Sequence, residues 1–188
     1  MTKSESGGKA VKSISIMAVL ILLAKFMGLF REMLIAGIYG QGYASDVINS
    51  ATQIPLLFFD MVLGVAILST FVPIYNKNLE KVGKSGADAF ANNFITIVGA
   101  VAVLAAILGS VFAQPIVKMM VPGYAEVPGK VEETARLLRV LFPSIAFTAI
   151  AYVVVGILQS HGEFTIPSLI SVVSNGVMIA YLLSLIHI

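Results

Sequence analysis

The sequence predicts an all-α protein, a polytopic bundle of about five transmembrane helices, and three observations support this. First, 58% of its residues are hydrophobic and only 12% are charged, whereas soluble domains have about 45–50% apolar and about 25% charged residues. Second, the mean hydropathy is +0.95. Third, the apolar residues form long runs near the roughly 20 residues that a spanning helix needs. Lipid solvates such runs only when each backbone group is hydrogen-bonded internally, which favours helices.

Polar and breaker residues divide the chain into five predicted spans. These are residues 13–39, 46–75, 93–113, 132–159 and 166 to the end. Glycine-rich or polar connectors separate them at 40–45, 76–92, 114–131 and 160–165. Residues 1–12 are polar and basic, so we expect a tail there and a membrane domain of five helices over residues 13–182.

Lysines in the connectors predict the orientation. The tail has Lys3, Lys9 and Lys12, and the connector after the second span has Lys77, Lys81 and Lys84. On the opposite side, lysines are balanced by nearby glutamates. Cytoplasmic loops are enriched in Lys and Arg. The N-terminus is therefore predicted to lie in the cytoplasm.

The last residues, 183–188, read LSLIHI. The DNA string CTGTCTCTTATACACATC encodes this peptide, and it matches the end of a transposon-based sequencing adapter. We therefore expect these residues to derive from adapter DNA, the alternative being an ordinary apolar helix end. On either interpretation, His187 has no expected chemical role.

Catalytic and nucleic-acid functions are not indicated by the composition. The chain has no cysteine and a formal net charge of only +2, which excludes thiolate chemistry and gives no reason to expect a nucleic-acid partner. The sequence also has no nucleophile motif, phosphate-binding loop or metal-ligand spacing. We expect no enzyme activity, cofactor or metal.

The first span contains three ionisable residues on one arc of the helix. Lys25, Arg31 and Glu32 surround the position of Gly28 on a helical wheel. Charged residues in membrane helices are costly and usually face a protein interior or a wet cavity. Gly28 would leave space for a ligand or another helix. Alternatively, Lys25 and Glu32 pair through water while Arg31 reaches the outer interface.

The second span carries a polar stripe around Pro55. Asp46, Asn49, Gln53 and Asp60 share one helical face, and apolar residues cover the rest. The stripe predicts a cavity lining, and interhelical hydrogen bonding is the alternative.

Small polar residues also recur in the fifth span, at Ser168, Ser171, Ser174 and Asn175. This spacing favours close helix packing, with cavity lining as the alternative.

Several motifs together resemble the MurJ (MviN) family of lipid II flippases, in the MOP exporter superfamily. In chain order they are KFMGLFREMLIAGIYGQGYASDVINSATQIP at 25–55, FVPIY at 71–75, VPGYA at 121–125, RVLFP at 139–143 and FTIPSLI at 164–170, followed by Asn175. The likeness covers nearly the whole of residues 13–182. Singly each motif is weak, and together they are specific.

The resemblance implies a longer transporter with two lobes of helices that face a central cationic cavity and alternate its access. Its substrate would be lipid II, the undecaprenyl-pyrophosphate-linked peptidoglycan precursor, in the bacterial inner membrane. The partners implied are this lipid, membrane lipid and a second lobe of the same protein.

Three positions match the family's cavity pattern. Arg31 after Gly28 matches its cavity arginine, Lys25 matches a basic position usually filled by Arg, and Asp46 matches the acid that opens the second helix. One departure affects the inner end of that helix. Many members have basic residues after the proline, whereas residues 58–60 here read Phe-Phe-Asp.

Two other functions are compatible with the pattern. Another MOP exporter, such as a polysaccharide-lipid flippase or a cation-coupled drug exporter, would share the fold. A drug exporter would favour acidic and aromatic cavity residues over Lys25 and Arg31. A membrane scaffold without transport would have no reason to align charges on helical arcs.

Overall fold

The computed structural model describes residues 3–40, 42–65 and 67–186, and all regular structure in these ranges is helical, which confirms the predicted all-α class. The α-helices are α1 Lys3–Tyr39, α2 Tyr43–Phe59, α3 Val72–Lys81, α4 Lys84–Val111, α5 Ala113–Met120, α6 Lys130–Leu141, α7 Ser144–Ser160 and α8 Thr165–Ile186. Helix α1 begins ten residues before the predicted start of the first span, within the predicted tail. His187, and with it the end of the suspected adapter peptide, lies outside the described residues.

The predicted connector at 76–92 is wrong. Helix α3 continues to Lys81 and α4 begins at Lys84, so only Val82 and Gly83 join them. The polar residues in this segment are compatible with a helix, so they show where the apolar run ends and not where the helix ends. Gly83 has a φ of 81°, a left-handed conformation that glycine adopts without strain and that permits the tight turn.

The predicted connector at 114–131 is also largely helical. It contains α5, a 3₁₀ turn over Pro122–Glu126, and the first residues of α6. Helix α5 is amphipathic, since Ile116 and Val117 are buried while Met119 is exposed. Pro122 begins a turn instead of marking irregular chain.

The two interior prolines behave differently. Pro55 is buried inside α2, and that helix continues to Phe59. Two π-helical segments then follow, Asp60–Gly64 and Ile67–Phe71, before α3 begins. Near Pro143 the predicted fourth span breaks, and its two halves, α6 and α7, are bent by 45°.

By length and composition, two helical segments among the described residues qualify as membrane spans, Lys84–Val111 and Thr165–Leu185. The bent pair of α6 and α7 makes a third if it is one span. These correspond to the third, fifth and fourth predicted spans. The first predicted span is continuous in α1 but carries three charges, and the second is interrupted by π-helical segments, so spanning by these two stays a prediction.

The chain divides into two compact units, and residues 42–160 form one of them. An aromatic cluster lies in its core. The ring of Phe71 stacks on Tyr75 and Phe90 at centroid distances of 5.4 and 5.7 Å and lies 4.9 Å from Phe94. A Cβ added to Gly156 of α7 would lie 3.0 Å from the Phe71 ring. Gly156 thus permits α7 to pack closely on the π-helical part of the second predicted span.

Residues 1–41 and 161–188 form the other unit, in which α1 packs on α8. Glu163 caps α8, because its Oε1 accepts hydrogen bonds from the backbone N–H groups of Thr165 (2.8 Å) and Ile166 (3.3 Å). These bonds lower the pKa of Glu163 below its ordinary value. The carboxylate stabilises the electropositive start of the helix.

Candidate functional site

Arg31 is fixed by residues of both helices in the α1–α8 unit. Its Nη1 donates a hydrogen bond to Oδ1 of Asn175 (3.1 Å), and its Nη2 forms an ion pair with Oε1 of Glu32 (2.6 Å). Its Nε is enclosed and has no hydrogen-bond partner in the described part of the chain. The side chain as a whole is still 35% exposed. Arg31 is therefore held in place by both helices while its side chain stays partly exposed.

Asn175 joins the two helices at Gly28. Its Nδ2 donates to the carbonyl oxygens of Ala24 (3.2 Å) and Ser171 (3.0 Å). A Cβ on Gly28 would lie 3.9 Å from this nitrogen. The space beside Gly28 is thus next to another helix, one of the two predicted occupants, and Asn175 has a packing role as well as a contact with Arg31.

Pairing of Lys25 with Glu32 through water is the alternative interpretation of this arc, and the direct partner of Glu32 in the structure is a different residue. Glu32 instead pairs with its chain neighbour Arg31, and Lys25 is exposed. A helical wheel separates Arg31 and Glu32 by about 100°, yet the long guanidinium reaches the adjacent carboxylate. The wheel places Cα positions and does not account for the reach of a flexible side chain.

In the other unit, an ion pair joins the start of α2 to the start of α6. Asp46 Oδ2 lies 2.7 Å from Lys130 Nζ, which is 4.2 Å from the ring centroid of Tyr124 and 5.6 Å from that of Tyr43. The Tyr124 hydroxyl donates to the backbone oxygen of Asp46 (2.9 Å) and lies 2.7 Å from Ser50 Oγ. We call these five residues the α2–α6 clamp.

The rest of the predicted stripe is less buried than the opposite face of the helix. Gln53 and Asp60 are exposed and Asn49 is half-buried, whereas the opposite face of α2 buries Ile54 and Phe59. Asp60 opens the π-helical segment Asp60–Gly64, and such segments are frequent at functional sites. The stripe is therefore available to line a polar path.

Sequence reasoning missed Lys130 and the hydroxyl of Tyr124. In the sequence, Lys130 is one of several charges in the connector at 114–131, and Tyr124 is part of the VPGYA motif. A lysine at the start of a helix opposes the helix dipole, and this was the one available signal. Across residues 3–40, 42–65 and 67–186, no group of three or more His, Cys, Asp or Glu residues could hold a metal ion.

Apolar helices of spanning length, with ionisable side chains paired on neighbouring helices, define an α-helical membrane protein. The model of the family described as Lipid II flippase MurJ matches residues 35–187. The chain therefore belongs to the MurJ family of lipid II flippases, as its motifs predict.

Individual relatives agree with this membership. A probable lipid II flippase MurJ of Buchnera aphidicola subsp. Schizaphis graminum is 29% identical over 165 residues, which cover 88% of this chain and 32% of the relative. One of Rickettsia prowazekii is 30% identical, covering 79% and 29%. The lipid II flippase MurJ of Burkholderia cenocepacia is 25% identical, covering 85% and 31%. The chain thus spans about a third of the length of these relatives. No solved structure matches it.

Proposed function

We propose that this chain supplies the first five helices of the N-terminal lobe of a transporter that moves lipid II across the bacterial inner membrane by alternating access. Membership of the MurJ family supports lipid II as the substrate over a polysaccharide-linked lipid or a drug. The observation that carries the proposal is Arg31, an arginine held within an apolar helix. A pyrophosphate cannot cross hydrocarbon unaided, because transfer of an ionised group into an apolar medium is prohibitively unfavourable.

The surroundings of Arg31 suit a contact with an anion. Asn175 and Glu32 fix the plane of the guanidinium, which is therefore positioned before a ligand arrives. Guanidinium groups form strong charge-assisted, bidentate hydrogen bonds with phosphate oxygens. An incoming pyrophosphate would compete with Glu32 for the Nη2 donor. Lys25, exposed on the same arc, supplies a second cation.

The exposed stripe of α2, described within its own unit, offers further groups that suit a polar head group. Asn49 and Gln53 offer neutral hydrogen-bonding groups, while Asp60 places a negative charge at the inner end, where the family pattern has cations. We propose that the pyrophosphate head group moves along the polar residues while the undecaprenyl tail stays in the membrane lipid. The second lobe of the full-length protein would complete the cavity, as alternating access requires two parts that move against each other.

The test is complementation by the full-length protein that contains this chain. Expressed in a bacterium depleted of its own lipid II flippase, it should restore growth and the appearance of lipid II in the outer leaflet. Labelling with a reagent that does not cross the membrane measures that appearance. Absence of both effects at normal membrane abundance would show that the proposed substrate is wrong.

The predicted orientation, with the N-terminus in the cytoplasm, can be measured by cysteine labelling. Ser85 in α4 and Ala125 in the 3₁₀ turn are both exposed, and this chain has no cysteine of its own. In a cysteine-free full-length protein, Ser85→Cys should react only with reagent on the cytoplasmic side and Ala125→Cys only with reagent outside. Reaction of both from one side would contradict the orientation. Gly42 and Gly83 are poorer sites, because their positive φ angles of 140° and 81° would strain a cysteine.

A further inference from the structure

Lys130 occupies an unfavourable position for a lysine. Its side chain is only 9% exposed, and it is the first residue of α6, where the helix dipole is positive. Lysines are almost never fully buried unless they are paired. Something in the α2–α6 clamp must therefore compensate this charge.

Asp46 is that compensation. Within the described ranges it is the carboxylate in ion-pair contact with Lys130, at 2.7 Å. The rings of Tyr124 and Tyr43 add cation–π attraction but no formal charge. Tyr124 also donates to the backbone oxygen of Asp46 and lies within hydrogen-bond distance of Ser50, so the clamp fixes the backbone of α2 as well as the carboxylate.

The two partners differ greatly in exposure. The side chain of Asp46 is 49% exposed, against 9% for Lys130. Removal of Asp46 would leave a buried ammonium without its ion-pair partner, which is strongly destabilising. Removal of Lys130 would leave a carboxylate that water still reaches, so folding would suffer less. The free carboxylate would, however, repel an anionic head group on the proposed path.

We propose that Asp46 is a positioning residue that acts through Lys130, and that it does not contact the substrate. This inference rests on the proposed function. The carboxylate neutralises the buried ammonium and fixes α2 against α6, and the ammonium in turn removes a negative charge from the route of an anionic lipid. The clamp thereby presents a neutral pair at the start of the polar stripe.

A double-mutant cycle in the full-length protein tests the proposal. Asp46→Asn should lower both the thermal unfolding temperature and the initial rate of lipid II translocation in vesicles, the rate by about tenfold or more. Lys130→Met should lower the rate while changing the unfolding temperature little. Asp46→Asn with Lys130→Met should restore both, because a buried ion pair is often replaced by neutral residues without loss.

Two controls accompany the cycle. Lys130→Arg keeps the charge and should retain most of the transport rate. Lys118→Met removes an exposed lysine of α5 and should change neither the unfolding temperature nor the rate. We expect each single substitution to reverse the loss caused by the other. If Asp46 instead contacted the substrate, replacement of Lys130 would not restore that contact.

Two results would contradict the proposal. If the double variant regains the unfolding temperature but remains as inactive as Asp46→Asn, Asp46 contacts the substrate and the proposal is wrong. If the double variant is no more stable than Asp46→Asn, the compensation itself is wrong. The stability measurements need no transport, whereas failure of the unmodified protein to translocate lipid II would contradict the proposed function alone.

Discussion

Replacement of Arg31 by Ala in the full-length protein is expected to abolish complementation of flippase depletion while leaving membrane abundance normal. The substitution removes a guanidinium that is fixed by two partners and belongs to a side chain that is still 35% exposed. Arg31→Lys keeps the charge but loses bidentate geometry, so its activity should fall only partly. Lys25→Ala should be milder, because this exposed ammonium is flexible and water can replace it.

The ion pair with Glu32 requires a matched control. Arg31→Ala also leaves Glu32 without its partner, so loss of activity alone does not separate a lost cation from a newly unpaired carboxylate. The double change Arg31→Ala with Glu32→Gln removes both charges and should remain inactive if Arg31 contacts the pyrophosphate. Recovery of growth by this double variant would show that Arg31 only compensates Glu32. Full complementation by Arg31→Ala itself would remove Arg31 from the transport path.

Gly109→Ala is expected to destabilise the protein strongly. A Cβ on Gly109 would overlap the ring of Phe142, which is 1% exposed at the end of α6 and packs edge-on against Phe58 at 5.8 Å. The ring has little room to move, and overpacking of a core costs about 1–3 kcal/mol. The thermal unfolding temperature of the purified full-length protein should fall by several degrees.

Gly99→Ala is the matched control, because Gly99 lies in the same helix and a Cβ there would meet nothing within 4 Å. Alanine is favoured over glycine within a helix by about 1 kcal/mol. This variant should therefore be as stable as the unmodified protein or slightly more stable. Equal unfolding temperatures for the two variants would show that α4 does not pack on Phe142 as described.

Helix content was predictable from the sequence, but several helix ends were not. Apolar runs require internally bonded backbone, so the all-α class followed from composition. The loss of apolar character at 76–92 and 114–131 predicts connectors there, yet polar residues continue or begin helices in both segments. The π-helical segments after Phe59 gave no sequence signal, because their hydrogen-bond shift depends on how surrounding helices pack.

For the candidate site, the sequence determined which residues are costly to place in a membrane helix. Lys25, Arg31 and Glu32 are such residues, because ionisable groups within apolar helices are costly and are usually functional. The motifs around them correctly indicated the MurJ family. The sequence did not indicate which residues these charged side chains contact. Arg31 and Asn175 are 144 positions apart, and Asp46 and Lys130 are 84 apart. Only packing of helices brings such groups within hydrogen-bond distance.

Gly99 and Gly109 also separate what the sequence predicts from what only the tertiary structure decides. Both are glycines in one apolar helix, and the sequence treats them alike. Only the tertiary structure places a buried phenylalanine ring against one and open space beside the other. The sequence by itself determined that this chain is helical, lipid-solvated and built around charged residues in apolar helices, because transfer free energies depend on residue type. The tertiary structure decided which charge meets which partner and which glycine is required, because hydrogen bonds and steric overlap depend on distances of a few ångströms between residues far apart in the chain.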